Sequence, residues 1–206
     1  MQIGAAGAAV AIIAVIVIVV AASSGGGGSS ASGATYSKNS VPPGAEAGVT
    51  DKPPPWPPNY DHLAERLKAM GLPNLNEQIF HIHALVHVYV NGKPVTVPSD
   101  IGLDIATNTF SPLHTHDTSG IVHMEADRTY SFTLGQFFAV WGVKFSNGQV
   151  GPYKDHDGEK LQVYLNGERV SDPVNLVMKE HDSISVGYGK PGSFPTNPPA
   201  NFPAGL

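Results

Sequence analysis

The sequence predicts an α+β protein held at a membrane, with an N-terminal spanning helix, a tether and one compact domain of mixed sheet crossed by a helix. Three observations carry this. Residues 3–22 (IGAAGAAVAIIAVIVIVVAA) run without a charge or a strongly polar group. Asn-Gly occurs twice between apolar runs, in VYVNGKPV and VYLNGERV. And 133-TLGQFFAVWGV-143 has apolar residues at helical spacing.

Twenty residues at about 1.5 Å rise span about 30 Å, the thickness of a bilayer core. A cleaved signal peptide is the rival reading, with Ala21-Ala22-Ser23 as its site. It has no basic residue before the apolar run, so the retained anchor is preferred. Residues 23–52 are rich in Gly, Ser and Ala and bury little, which predicts a flexible linker. Residues 53–75 begin with a proline run that places Trp56 and Tyr60 in an extended arm. A short helix follows, with Asp61 as cap, Leu63, Leu67 and Met70 on one face, and Gly71 then Pro73 as stop.

Residues 76–189 form the folded domain. Phe80 to Val90 is rich in β-branched residues and leads into Asn91-Gly92, the strongest short hairpin signal because both turn residues accept positive φ. Ile121 to Ala126 alternates as a strand. Thr133 caps a helix whose face is Leu134, Phe137, Phe138 and Trp141 and which Gly142 ends. A second hairpin turns at Asn166-Gly167, and Ser183 to Gly187 is a last strand. Residues 190–206, rich in Gly, Pro and Asn, read as an irregular tail.

The order hairpin, strand, helix, hairpin, strand resembles the β-grasp (ubiquitin-like) architecture. The strings LHTHDTSGIVHMEA and FTLGQFFAVWG resemble a group of exported or membrane-anchored bacterial proteins, of the kind common in actinobacteria. That resemblance implies an exported location and a single domain, and it implies no catalytic residue.

The net charge of −5, with twelve scattered Lys and Arg, excludes a nucleic-acid partner, which needs a basic stripe. The absence of cysteine excludes disulfides, thiolate metal sites and thiol catalysis. What stands out is histidine. Six of the nine fall between His81 and His123, in HIHALVHV and LHTHDTSGIVHME. Side chains alternate along a strand, so His81, His83 and His87 share a face opposite Ile82, Ala84, Val86 and Val88. His114 and His116 repeat the pattern beside Asp117, and His123 shares a face with Glu125. Imidazoles two apart on a strand have Cα atoms about 6.5–7 Å apart, within reach of one ion.

If the two strands are neighbours, His81, His83, His87, His114, His116, His123 and Glu125 form one ligand set. Copper or zinc suits it. The plain alternative is a half-exposed sheet face whose histidines Asp117 or Glu125 merely orient, or a patch that titrates in acid. Asp-x-Asp-Gly at His156 lacks the remaining calcium ligands and reads as a turn, His181 reads as another turn residue, and His62 as an exposed position. His114, His116, Asp117, Thr118 and Ser119 lack a nucleophile context, so no catalytic residue is assigned. Hydrolysis by histidine-bound zinc is the enzymatic alternative. The expected function is delivery or assembly support by a membrane-tethered, extracytoplasmic copper or zinc protein. The alternative is a metal-free, non-enzymatic accessory subunit of a membrane protein complex, docking through the arm and the tail.

Overall fold

The computed structural model describes residues 42, 44–75 and 78–206. The expected membrane helix, 3–22, and the tether up to residue 41 lie outside the described residues. Among the described residues, no helix is long and apolar enough to cross a membrane.

The chain runs through α1 (Leu63–Met70), β1 (Phe80–Val90), β2 (Lys93–Val95), β3 (Leu103–Asp104), β4 (Thr109–Phe110), β5 (Leu113–His114) and β6 (Ile121–Ala126). It continues through α2 (Leu134–Trp141), β7 (Phe145–Ser146), β8 (Gln149–Val150), β9 (Tyr153–Lys154), β10 (Lys160–Leu165), β11 (Glu168–Val170), a 3-10 turn (Pro173–Asn175) and β12 (Asp182–Gly189). The main sheet has seven strands in the order β11-β10-β12-β1-β6-β5, with β2 also paired to β1; β3-β4 and β7-β8-β9 form two small sheets.

The expected α+β, β-grasp-like domain with one crossing helix is therefore corrected. The domain is mostly sheet, with two short helices of eight residues each. The discrepancy has a physical source. Stretches between the recognised elements fold as two-residue strands, too short to show the alternation by which a strand is read.

The long elements do follow from their residues. Both Asn-Gly turns have positive φ at each residue (Asn91 51°, Gly92 78°, Asn166 50°, Gly167 88°). Thr133 caps α2 in a capping box with Gln136, and Gly142 closes it in the left-handed region. All eight residues of α2 are buried. Ala84, Val86 and Val88 of β1, Val122 and Met124 of β6, and Ile184 and Val186 of β12 join the two helices in one core. α1 starts differently from expectation. Its N-cap is His62, in the left-handed region and without a side-chain cap, while the Asp61 carbonyl accepts from the buried Arg66 guanidinium.

The arm and the end of the linker pack on this core. Ala45 and Trp56 are buried, the Trp141 indole donates to the Trp56 carbonyl at 3.1 Å, and the two indoles meet edge to face at 5.9 Å. Thr50 bonds across to Gly142 and Lys144.

The opposite face of the sheet is divided. Over β12 it is covered by the tail, which is irregular but packed: Ser185 and Ser183 donate to the Pro195 and Pro198 carbonyls at 2.6 and 3.4 Å. Phe194 lies on Gly187, where a Cβ would approach the ring at 2.2–2.3 Å. Over β1, β6 and β5 the same face carries the histidines.

Candidate metal centre

Pairing decides the site. β1 and β6 are antiparallel neighbours, with His81 opposite Glu125 and His83 opposite His123. β5 lies on the other side of β6 with His114 opposite His123. Directly opposed residues share a face with Cβ atoms about 4.5–5.5 Å apart. His83, His123 and His114 thus form one row across three strands, and His81 with Glu125 forms the next.

Two further features fix the loop between β5 and β6. Thr115, fully buried, donates to the Pro98 carbonyl and accepts from Ile101 N–H, which anchors the strip carrying His114 and His116. Gly120, at φ 86°, brings the chain back so that its carbonyl accepts from Val86 N–H at 2.9 Å; a Cβ there would meet the Val86 oxygen at 2.4 Å. Asp117 spends its carboxylate on the turn, accepting from Ser119 N–H at 2.8 Å. The Ser119 hydroxyl, and then this N–H, hold its pKa below the usual value.

The polar atoms converge on Glu125, whose side chain is only 3% exposed. Its Oε1 lies 3.1 Å from His81 Nε2, 3.6 Å from His114 Nε2 and 3.8 Å from His123 Nδ1. Its Oε2 is buried without a hydrogen-bond partner. His114 Nε2 and His116 Nε2 are 3.2 Å apart, as are His81 Nε2 and His123 Nδ1.

One tautomer can be deduced. His114 Nδ1 sits 3.1 Å from the Ser111 carbonyl, which only accepts, so Nδ1 carries the proton and Nε2 presents its lone pair. Burial, reinforced by the His116 and His123 charges, lowers the His114 pKa to about 3. Burial, then His116 and His83, lowers His123 to about 4. His83 is lowered too, by burial and then by His81. These rings are neutral at pH 7, the form that ligates metal.

Among the described residues, two groups have one ligand atom per residue within 4.8 Å of one another: His114, His116, His123 and Glu125, and His81, His83 and His123. Six of the seven residues proposed from the sequence are thus brought together. His87 is not. It lies four residues beyond His83, about 13 Å along the strand, and β6 pairing ends at Leu85 opposite Ile121. His87 instead stands opposite Ser185, on the half covered by the tail.

Sequence reasoning missed Glu180. Its Oε2 accepts from His83 N–H at 2.9 Å, and its Oε1 lies 3.8 Å from His83 Nδ1 and 3.0 Å from His181 Nε2. The only signal was an acidic turn ahead of the last strand, which says nothing of that strand running parallel beside β1. His62 and His156 are exposed. His156 pairs with Glu159 across a tight bridge, as a turn residue does.

No protein-family model, no curated protein and no solved structure matches the chain.

Proposed function

We propose that this is a membrane-tethered, extracytoplasmic transition-metal protein that holds zinc or copper at His114, His116, His123 and Glu125, in support of metal delivery or of the assembly of a membrane complex. The observation that carries the reading is the convergence of three imidazoles on one buried carboxylate, with burial holding His114 and His123 neutral at pH 7. A carboxylate withdrawn from water is costly, and a divalent cation held by these side chains offsets that cost.

The donor set is imidazole and carboxylate without sulfur, which suits Zn(II) and Cu(II) and disfavours Cu(I). Met124 cannot add a thioether, because it is fully buried on the core face. Bonds of about 2.0–2.1 Å in a tetrahedron put ligand atoms about 3.3 Å apart. The separations of 3.2 and 3.6 Å around His114 and of 3.8 Å between His123 Nδ1 and Glu125 Oε1 lie near that edge, and zinc is the metal tested first. The membrane location rests on the apolar run 3–22 and on the resemblance of LHTHDTSGIVHMEA and FTLGQFFAVWG to exported bacterial proteins. The role proposed is non-enzymatic.

The competing accessory-subunit reading drew on the arm and the tail as segments that order on a partner. Both already have partners within the chain, Trp56 in the core and Phe194 on Gly187, and this favours the metal reading. The test is thermal unfolding of the chelator-stripped full-length chain with and without zinc. Ligand at about 100 times Kd adds about 2.7 kcal/mol. We expect a rise in Tm that His114→Ala and Glu125→Gln remove. No rise, or an equal rise in both variants, contradicts the reading.

A further inference from the structure

We propose that the histidine face is a two-ion centre, in which His81, His83 and His123 hold a second metal ion and the His123 ring lies between the two. This rests on the metal reading above and deepens it.

The topology makes His123 the shared residue. β6 is the strand between β1 and β5, so in the cross-strand row His123 has His83 on one side and His114 on the other. It alone belongs to both ligand groups. Its ring meets His83 and His116 in T-shaped contacts of 4.6 and 4.5 Å. An imidazole has two nitrogens on opposite edges. When both ligate, the ring gives its N–H proton to the surrounding buffer and bridges as imidazolate.

The first group alone leaves too much unexplained. His83 is 5% exposed, and both of its ring nitrogens are buried without a hydrogen-bond partner. A buried imidazole with neither nitrogen hydrogen-bonded is rare in a settled sheet face; the nearest carboxylate oxygen, Glu180 Oε1, stands 3.8 Å from Nδ1. The His83 ring lies 4.5 Å from the His81 ring, tilted by 54°, and its backbone N–H donates to Glu180. Glu125 lies beside both groups, with Oε1 at 3.1 Å from His81 Nε2 and 3.6 Å from His114 Nε2, and so places negative charge next to each ion.

The two positions differ in character. The first has four protein ligands, with His114 and Glu125 buried, His123 half-buried and His116 exposed, the ligand count of a resident site. The second has three imidazoles, and the His81 side chain is 38% exposed. Three protein ligands with a solvent-facing edge leave a coordination position open. The second ion is thus the one available for exchange.

The experiment counts ions. Full-length protein is stripped with chelator, loaded with excess zinc, desalted and analysed for zinc per chain. Two equivalents are expected, falling to one in His81→Ala and in His83→Ala. The exposed His81 serves as the variant that leaves the fold intact. One equivalent in the unaltered protein, or two that persist in both variants, overturns the second site and leaves the first standing. Zero overturns both. With Cu(II), a ring-bridged pair couples its spins, so the loaded protein should show less paramagnetic signal than two independent ions, and His81→Ala should restore the full signal of one. Full two-ion intensity overturns the bridge.

Discussion

At the scale of the residue, the centre depends on keeping imidazoles neutral. Burial is the first cause that takes His114 to about 3 and His123 to about 4, whereas in the unfolded chain both titrate near 6.5. Below that pH the unfolded state binds more protons than the folded one, so stability present above pH 6.5 is lost as pH falls toward 4. The metal-free protein should therefore lose Tm steadily from pH 6.5 to 4.5, and His114→Gln should flatten that slope. A Tm independent of pH over the range would contradict the burial argument. Glu180 supports His83 from the turn ahead of β12, and groups that orient a ligand typically contribute about 10–100-fold in affinity. Competition with a chelator should show Glu180→Ala weakening the looser zinc-binding step by about tenfold or more, with the tighter step unchanged. The histidine face was legible because alternation along a strand depends only on local geometry. Glu180 was not, because it reaches His83 across 97 residues of chain.

At the scale of the element, the parts that matched expectation carry their own signals. α2 has its capping box and its terminal glycine, and the hairpins have Asn-Gly. Arg66 had no such signal. It occupies an ordinary helical position, yet it is fully buried and donates to the Ala47, Asn59 and Asp61 carbonyls, tying the arm to α1. Burial lowers its pKa to about 10, so it remains charged. Arg66→Met strands those carbonyls and should cost about 3 kcal/mol in denaturant unfolding; a change under about 0.5 kcal/mol would show the contacts to be idle. Gly187 is needed for a different reason. It has no unusual φ, and the Phe194 ring occupies the space a Cβ would fill. Gly187→Ala should destabilise by about 1–3 kcal/mol, and by clearly less when Phe194→Ala is already present. Simple addition of the two effects would contradict the proposed contact.

At the scale of the whole molecule, the sheet has one face on the helices and a second divided between the tail and the histidines. Local pattern could identify β1 and β6 as strands, and it could not give the order β12-β1-β6-β5. That order depends on pairing between distant segments, and on short strands such as β5 that have no periodicity of their own. It is also what turns two H-x-H pairs and His123-x-Glu125 into a single centre, while leaving His87 under the tail. The claim that matters most is that His114, His116, His123 and Glu125 hold a metal ion. X-ray absorption at the zinc edge, on full-length protein loaded with one equivalent, tests it most directly. The account predicts about four nitrogen and oxygen ligands at about 2.0–2.1 Å, with imidazole scattering, no sulfur, and loss of that shell in Glu125→Gln. A spectrum of hydrated zinc, with an all-oxygen shell and no imidazole scattering, would contradict it.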